Sequence, residues 1–215
     1  MQSRLTRRMA WLFAIGATLF ALGAFPPYFE HFGDKVAACT FFIGSLFFTS
    51  AAYTQYYITI NHDVGERRFL RSEVLDRSFV AASVQLVGTL AFNVSTLAAV
   101  DQAFTASDLT RLIWAPDAFG SVAFLVSSVV ALTVARHLNP MKRWAAVANV
   151  AGSVAFGMSA LAAYVVPTTG EVVNIRAVNV GTFIGGIFFL VGALLTLLDA
   201  DKDDPEPSGA KSVDH

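Results

Sequence analysis

Cysteine occurs once, at Cys39, and histidine four times, at His31, His62, His137 and His215. A lone thiol forbids an intramolecular disulfide and a Cys-rich metal site. Set in an apolar run beside Thr40 and Phe41, it reads as a small packing residue, because hydrocarbon surroundings raise a thiol pKa and leave little thiolate. The histidines all sit in loops, at span ends or in the tail, so two axial ligands facing one haem inside a bundle are not expected. His62 and His137 share one side of the membrane in the topology below, yet no cysteine or carboxylate cluster joins them into a metal site. No cofactor and no metal are expected.

Charge is scarce as well, at 14% of residues, while 55% are hydrophobic and the mean hydropathy is +0.57. The net charge of −1 excludes a protein that grips nucleic acid by neutralising phosphates. The 15 basic and 16 acidic residues all fall outside six charge-free runs, at 9–29, 36–62, 78–100, 118–135, 144–170 and 177–198. About 20 apolar residues of helix match the roughly 30 Å hydrocarbon slab of a bilayer. The expected fold is therefore all-α, a six-transmembrane-helix bundle over 1–198 with spans at about 9–27, 36–60, 78–100, 117–135, 144–166 and 176–198. Residues 199–215 read as a disordered acidic tail, too polar and Pro-rich to bury anything.

Lys and Arg number three before the first span, then 1, 4, 1, 3 and 1 in the loops and 2 in the tail. The alternation, read by the positive-inside rule, expects a multi-pass protein of the plasma membrane with both termini cytoplasmic. Arg4, Arg7 and Arg8 before Met9 also resemble the n-region of a signal peptide. That first run, however, carries the internal motif of the other five, which a disposable segment has no reason to carry. The loop 63–77 sets Phe69, Leu70, Val74 and Leu75 among arginines, and reads either as a solvated linker or as a short interfacial helix facing anionic lipid. Trp11, Trp144, Trp114 and Tyr164 mark span ends as headgroup anchors, and Pro116 with Asp117 suits the first turn of the fourth helix.

Every span repeats one nine-residue pattern of Gly, a small residue, two variable positions, Phe, two variable positions and two small residues. Its glycines and phenylalanines are Gly16 and Phe20, Gly44 and Phe48, Gly88 and Phe92, Gly120 and Phe124, Gly152 and Phe156, and Gly185 and Phe189. Positions i, i+4 and i+7 share a helix face, so each span presents a packing stripe. Lipid tails are as apolar as leucine, so helices associate in a membrane through close backbone approach at small residues and through interhelical hydrogen bonds. Each phenylalanine then fills the notch of a neighbour's glycine. The rings lie near the centre of their runs, which predicts a phenylalanine layer near the bilayer midplane, either a dry core or a hydrophobic constriction that gates by dewetting. Motif spacings of 28, 44, 32, 32 and 33 residues suggest three repeated helical hairpins.

The Gly-[Ser/Gly]-x-x-Phe stretches, above all Asn179-Val180-Gly181-Thr182-Phe183-Ile184-Gly185-Gly186-Ile187-Phe188-Phe189-Leu190, resemble the small YrhK-type bacterial membrane domain, and the whole chain is similar to actinobacterial six-span proteins carrying it. The resemblance covers the last span well and the others as weaker echoes. It implies a membrane location and a fold, and assigns no catalytic residue.

No ionisable residue lies in mid-span, which argues against a proton-coupled pump or a voltage sensor. No nucleophile elbow, phosphate loop or protease dyad is present, so an enzyme is not expected. Buried amides and hydroxyls remain, among them Gln55 and Gln85, and Asn93, Asn149, Asn179, Ser127 and Ser159 form a candidate polar path. On the far side, Asp101, Asp108, Asp117, Glu171, Arg111 and Arg176 read either as a closed polar rim or, more simply, as a solvated surface. Two functions stand. One is a non-enzymatic module acting by helix packing with itself, with another membrane protein and with the lipid bilayer; the other is a channel or transporter for a small uncharged solute. A continuous polar cavity beside Asn93 favours the second, and a close-packed core at Phe92, Phe124 and Phe156 the first.

Overall fold

A computed structural model describes residues 2–61, 76–101 and 105–202. Six of its helices are long and apolar enough to cross a membrane. They are α1 (Gln2–Ala24), α3 (Asp34–Ile60), α4 (Arg77–Val100), α6 (Ala115–Ala135), α7 (Pro140–Ala162) and α8 (Ile175–Lys202). The short α2 (Pro26–Phe32) follows α1, and α5 (Ala106–Asp108) leads through a π-helical turn, Leu109–Trp114, into α6. His62 and residues 63–75 of the loop, with Arg67, Arg68 and Arg71 of the four arginines expected to face lipid, lie outside the described residues, as does the tail from 203; the fourth, Arg77, opens α4.

Local chemistry sets most of the boundaries. Phe25-Pro26-Pro27 stops α1 because proline cannot donate to the preceding turn, and the same prolines start α2. A single residue, Gly33 at φ 86°, ends α2 and begins α3, a conformation that favours glycine. Asp76 caps α4 by accepting from the Phe79 N–H at 2.6 Å, and Asn139 caps α7 by accepting from the Lys142 N–H at 2.9 Å, with Pro140 in the first turn.

Pro116 departs from the expectation. It lies inside a helix that is continuous from Ala106, not at a helix start. A proline ring clashes with the carbonyl four residues before it, here that of Leu112, and the backbone relieves the clash by widening one turn. The Ala115 N–H accordingly bonds to the Thr110 carbonyl, five residues back. Because the helix starts at Ala106, Asp117 lies about three turns inside it and not at the helix end where the sequence places it.

The last helix departs too, at its end. It runs on through Asp199 to Lys202, four residues beyond the expected span, so the described part of the supposed tail is ordered helix. Asp199 is buried, accepts from Asn139 Nδ2 at 2.8 Å and stands 3.5 Å from Lys142 Nζ, while Asp201 pairs with Arg7 at 3.1 Å. Asp199 and Asp201 thus tie the end of α8 to the starts of α7 and α1.

The six long helices form a closed ring. Each packs against its neighbours in sequence, and α8 packs against α1. The closing seam is made by glycine: a Cβ placed on Gly186 would stand 2.9 Å from the Ala21 nitrogen and 3.0 Å from the Ala17 carbonyl oxygen. We call the end of the ring holding Gln2 and Lys202 the terminal end and the other the distal end.

Candidate functional site

The centre of the ring is filled by the six motif phenylalanines, with Ala17 among them. Each ring is at most 6% exposed. They form two stacked triangles. Phe20, Phe92 and Phe156, from the helices that run toward the distal end, lie with ring centroids 5.6–6.3 Å apart. Phe48, Phe124 and Phe189, from the helices that run back, lie 5.6–6.0 Å apart. Three closer pairs join the triangles: Phe20 with Phe48 at 5.3 Å, Phe92 with Phe124 at 5.1 Å, and Phe156 with Phe189 at 5.2 Å. Most contacts are edge-to-face or tilted, the arrangement the ring quadrupole prefers, worth about 0.5–1.5 kcal/mol per pair beyond burial.

The expected single layer is thus a double one, and antiparallel geometry explains it. In each of those three helix pairs the phenylalanine of one helix lies level with the glycine of the other. Four residues at 1.5 Å rise then offset the backbone positions of the two phenylalanines by about 6 Å along the axis, and the side chains lean together across that offset. Glycine makes this level pairing sterically open. A Cβ on Gly16 would stand 2.9 Å from the Phe48 ring, one on Gly44 3.0 Å from Phe20, one on Gly120 3.2 Å from Phe92 and one on Gly152 3.1 Å from Phe189, and one on Gly185 would run into Phe156. Gly88 is the exception, faced by the Ala123 Cβ and the Gly120 carbonyl instead of a ring.

Two cavities end on opposite faces of this plug. One, of about 190 Å³ at the terminal end, reaches Phe13 and Phe189 and is edged by Thr6, Gln55, Thr59, Gln85, Asn149 and Thr196. The other, of about 270 Å³ at the distal end, reaches Phe20 and Phe41 and is lined by Ser95, Thr96, Trp114, Asp117, Ser159, Asn179 and Thr182 among aliphatic side chains.

The five residues of the candidate polar path are divided by this arrangement. Asn149 edges the terminal-end cavity, whereas Asn179 and Ser159 line the distal one. Asn93 and Ser127 line neither of the two. Asn93 Oδ1 accepts from Thr49 Oγ1 at 3.1 Å, joining α4 to α3, and Ser127 Oγ donates to the Ala81 carbonyl at 2.7 Å, joining α6 to α4. Ser159 is also spent on helix pairing, donating to the Val178 carbonyl at 2.9 Å and meeting Thr182 Oγ1 at 2.8 Å.

Asp117, expected on a solvated surface, lines the distal cavity, and so does Trp114. Trp114 is half-buried; its Nε1 donates to the Ala160 carbonyl at 3.0 Å and its ring meets Tyr164 edge-on at 5.0 Å. The pair fixes the end of α7 to the π turn, while Trp11 and Trp144 stay exposed on the outside of the ring. The signal for Asp117 was Pro116 itself, since a proline well inside an apolar helix commonly coincides with a local break in the ladder. Among the described residues, no three of His, Cys, Asp and Glu are grouped as metal ligands would be. Comparison of the chain with protein-family models, with curated proteins and with solved structures finds no match.

Proposed function

We propose that the protein is a non-enzymatic membrane module of the YrhK-like type whose core is sealed, and that its glycine motif serves to close its own ring. The observation that carries this reading is the plug. Six rings at centroid separations of 5.1–6.3 Å close the axis between the two cavities, and polar groups at that level are bonded between helices. The motif glycines are all occupied within the chain, against backbone or phenylalanine of a neighbouring helix. Hydrocarbon covers the outside of the ring, where Leu97, Val122, Met158 and Leu161 are exposed, as a lipid contact requires.

The module lies in the plasma membrane with both ends of the chain on the cytoplasmic side. Arg4, Arg7, Arg8, Arg77, Arg136, Lys142, Arg143 and Lys202 all gather at the terminal end, and positive charge is retained on that side of a bacterial-type membrane. Three glycine–phenylalanine helix pairs, α1 with α3, α4 with α6 and α7 with α8, support descent from a duplicated hairpin.

One observation favours the second reading, a gated path for a small uncharged solute: the two cavities face each other across the plug. Stopped-flow glycerol and urea flux in proteoliposomes decides between the two. The sealed module gives the flux of protein-free vesicles, and a protein-dependent flux that rises in Phe124→Ala overturns it in favour of the gated path.

A further inference from the structure

We infer that the distal cavity is a binding site for a small organic primary ammonium ion, held by Asp117, Asn179 and Ser95. Polar groups in that cavity divide into two sets. Thr96, Ser159, Thr182 and Trp114 are already committed to hydrogen bonds with neighbouring helices, Thr96 through Ser45. Among the described residues, Asp117, Asn179 and Ser95 carry no hydrogen bond or ion pair, although Ser95 is only 4% exposed. They come from three helices, α6, α8 and α4, and line one space.

An unpaired carboxylate within the apolar part of a membrane protein is costly and marks a site for a cation. The three free groups offer a carboxylate, an amide oxygen and a hydroxyl oxygen as acceptors, which matches the three N–H donors of a primary ammonium. The rest of the wall selects the body of the ligand. Phe20, Phe41 and Trp114 supply aromatic faces, and the Val165–Val172 bridge supplies aliphatic cover. A bare metal cation finds too few free oxygens here, since hard cations take six or more. At about 30 Å³ per water-sized atom, 270 Å³ admits an ammonium ion of about nine non-hydrogen atoms.

Isothermal titration of the full chain in detergent with 2-phenylethylammonium tests this, with 2-phenylethanol, the trimethylated ammonium and sodium chloride as comparisons. Saturable binding of the primary ammonium is expected, at least tenfold tighter than that of the alcohol or the trimethylated ion. Asp117→Asn weakens it at least tenfold. Ser95→Ala, which removes no hydrogen bond of the fold, weakens it about threefold while leaving the melting temperature unchanged, so the site is tested even if the Asp117 variant does not fold. Absence of saturable binding overturns the proposal. So do equal binding of ammonium and alcohol, full competition by sodium, or unchanged affinity in Ser95→Ala. Because the cavity lies wholly on one side of the plug, the outcome is independent of whether the protein conducts solute.

Discussion

Adding one methyl group to Gly186 tests whether ring closure depends on bare backbone. The new Cβ would meet the Ala21 nitrogen at 2.9 Å, the Ala17 carbonyl oxygen at 3.0 Å and the Ala21 Cβ at 3.1 Å, none of which belongs to a flexible side chain. Relief requires α8 and α1 to move apart along the seam that shuts the ring. Overpacking of this kind costs about 1–3 kcal/mol, and rigid backbone on the opposing side places the cost at the upper end. Alanine recovers up to about 1 kcal/mol of helix propensity over glycine, leaving a net loss of about 2 kcal/mol. Gly157 is the control, since a Cβ there meets nothing within 4 Å and the propensity gain stands alone. Thermal unfolding in detergent is expected to place Gly186→Ala about 4–8 °C below the parent, with Gly157→Ala at or above it. Equal melting temperatures for the two variants, or a rise in Gly186→Ala, would refute the assignment of the seam to backbone contact.

Four further outcomes follow from the same structure. Phe124→Ala removes a ring that is 2% exposed from the middle of the plug and is expected to cost about 3–5 kcal/mol, read by chemical unfolding. Asn139→Ala loses both the α7 cap and the bond to buried Asp199, about 2 kcal/mol together; Asn139→Asp keeps the cap but opposes two carboxylates, so at neutral pH it unfolds at least as readily. Asn93→Leu breaks the bond to Thr49 and costs about 1 kcal/mol, with vesicle flux unchanged, as the residue lines neither cavity on the axis. Hydrogen bonds from Thr105, its hydroxyl above all, hold the Asp108 carboxyl below its ordinary value, so their stabilisation is complete above pH 4 and is lost only as pH falls further; amide exchange at Thr105 should stay constant from pH 7 to 5 once corrected for intrinsic rates.

The number of crossings and the glycine–phenylalanine stripe were legible in the chain because both are local properties. Length and apolarity decide whether a helix spans a bilayer, and a spacing of four residues decides which side chains share a face. Where α1 and α7 end was less legible. Chain composition marks apolar stretches, but capping groups and prolines set the helix ends, and Tyr164 to Asn174 bond back on themselves after Ala162.

What only the tertiary structure decided is how those faces meet. Pairing five of the six phenylalanines with the glycine of an antiparallel partner divides the rings into two triangles and seals the axis, and no single helix contains the register that does so. Ring closure of α8 on α1 draws Asp199 and Asp201 into order against Asn139 and Arg7, residues far away in the chain. Closure of the ring brings Asp117, Asn179 and Ser95, from α6, α8 and α4, into the wall of one cavity. Each of these depends on contacts between residues remote in sequence, and helical periodicity carries no information about such contacts.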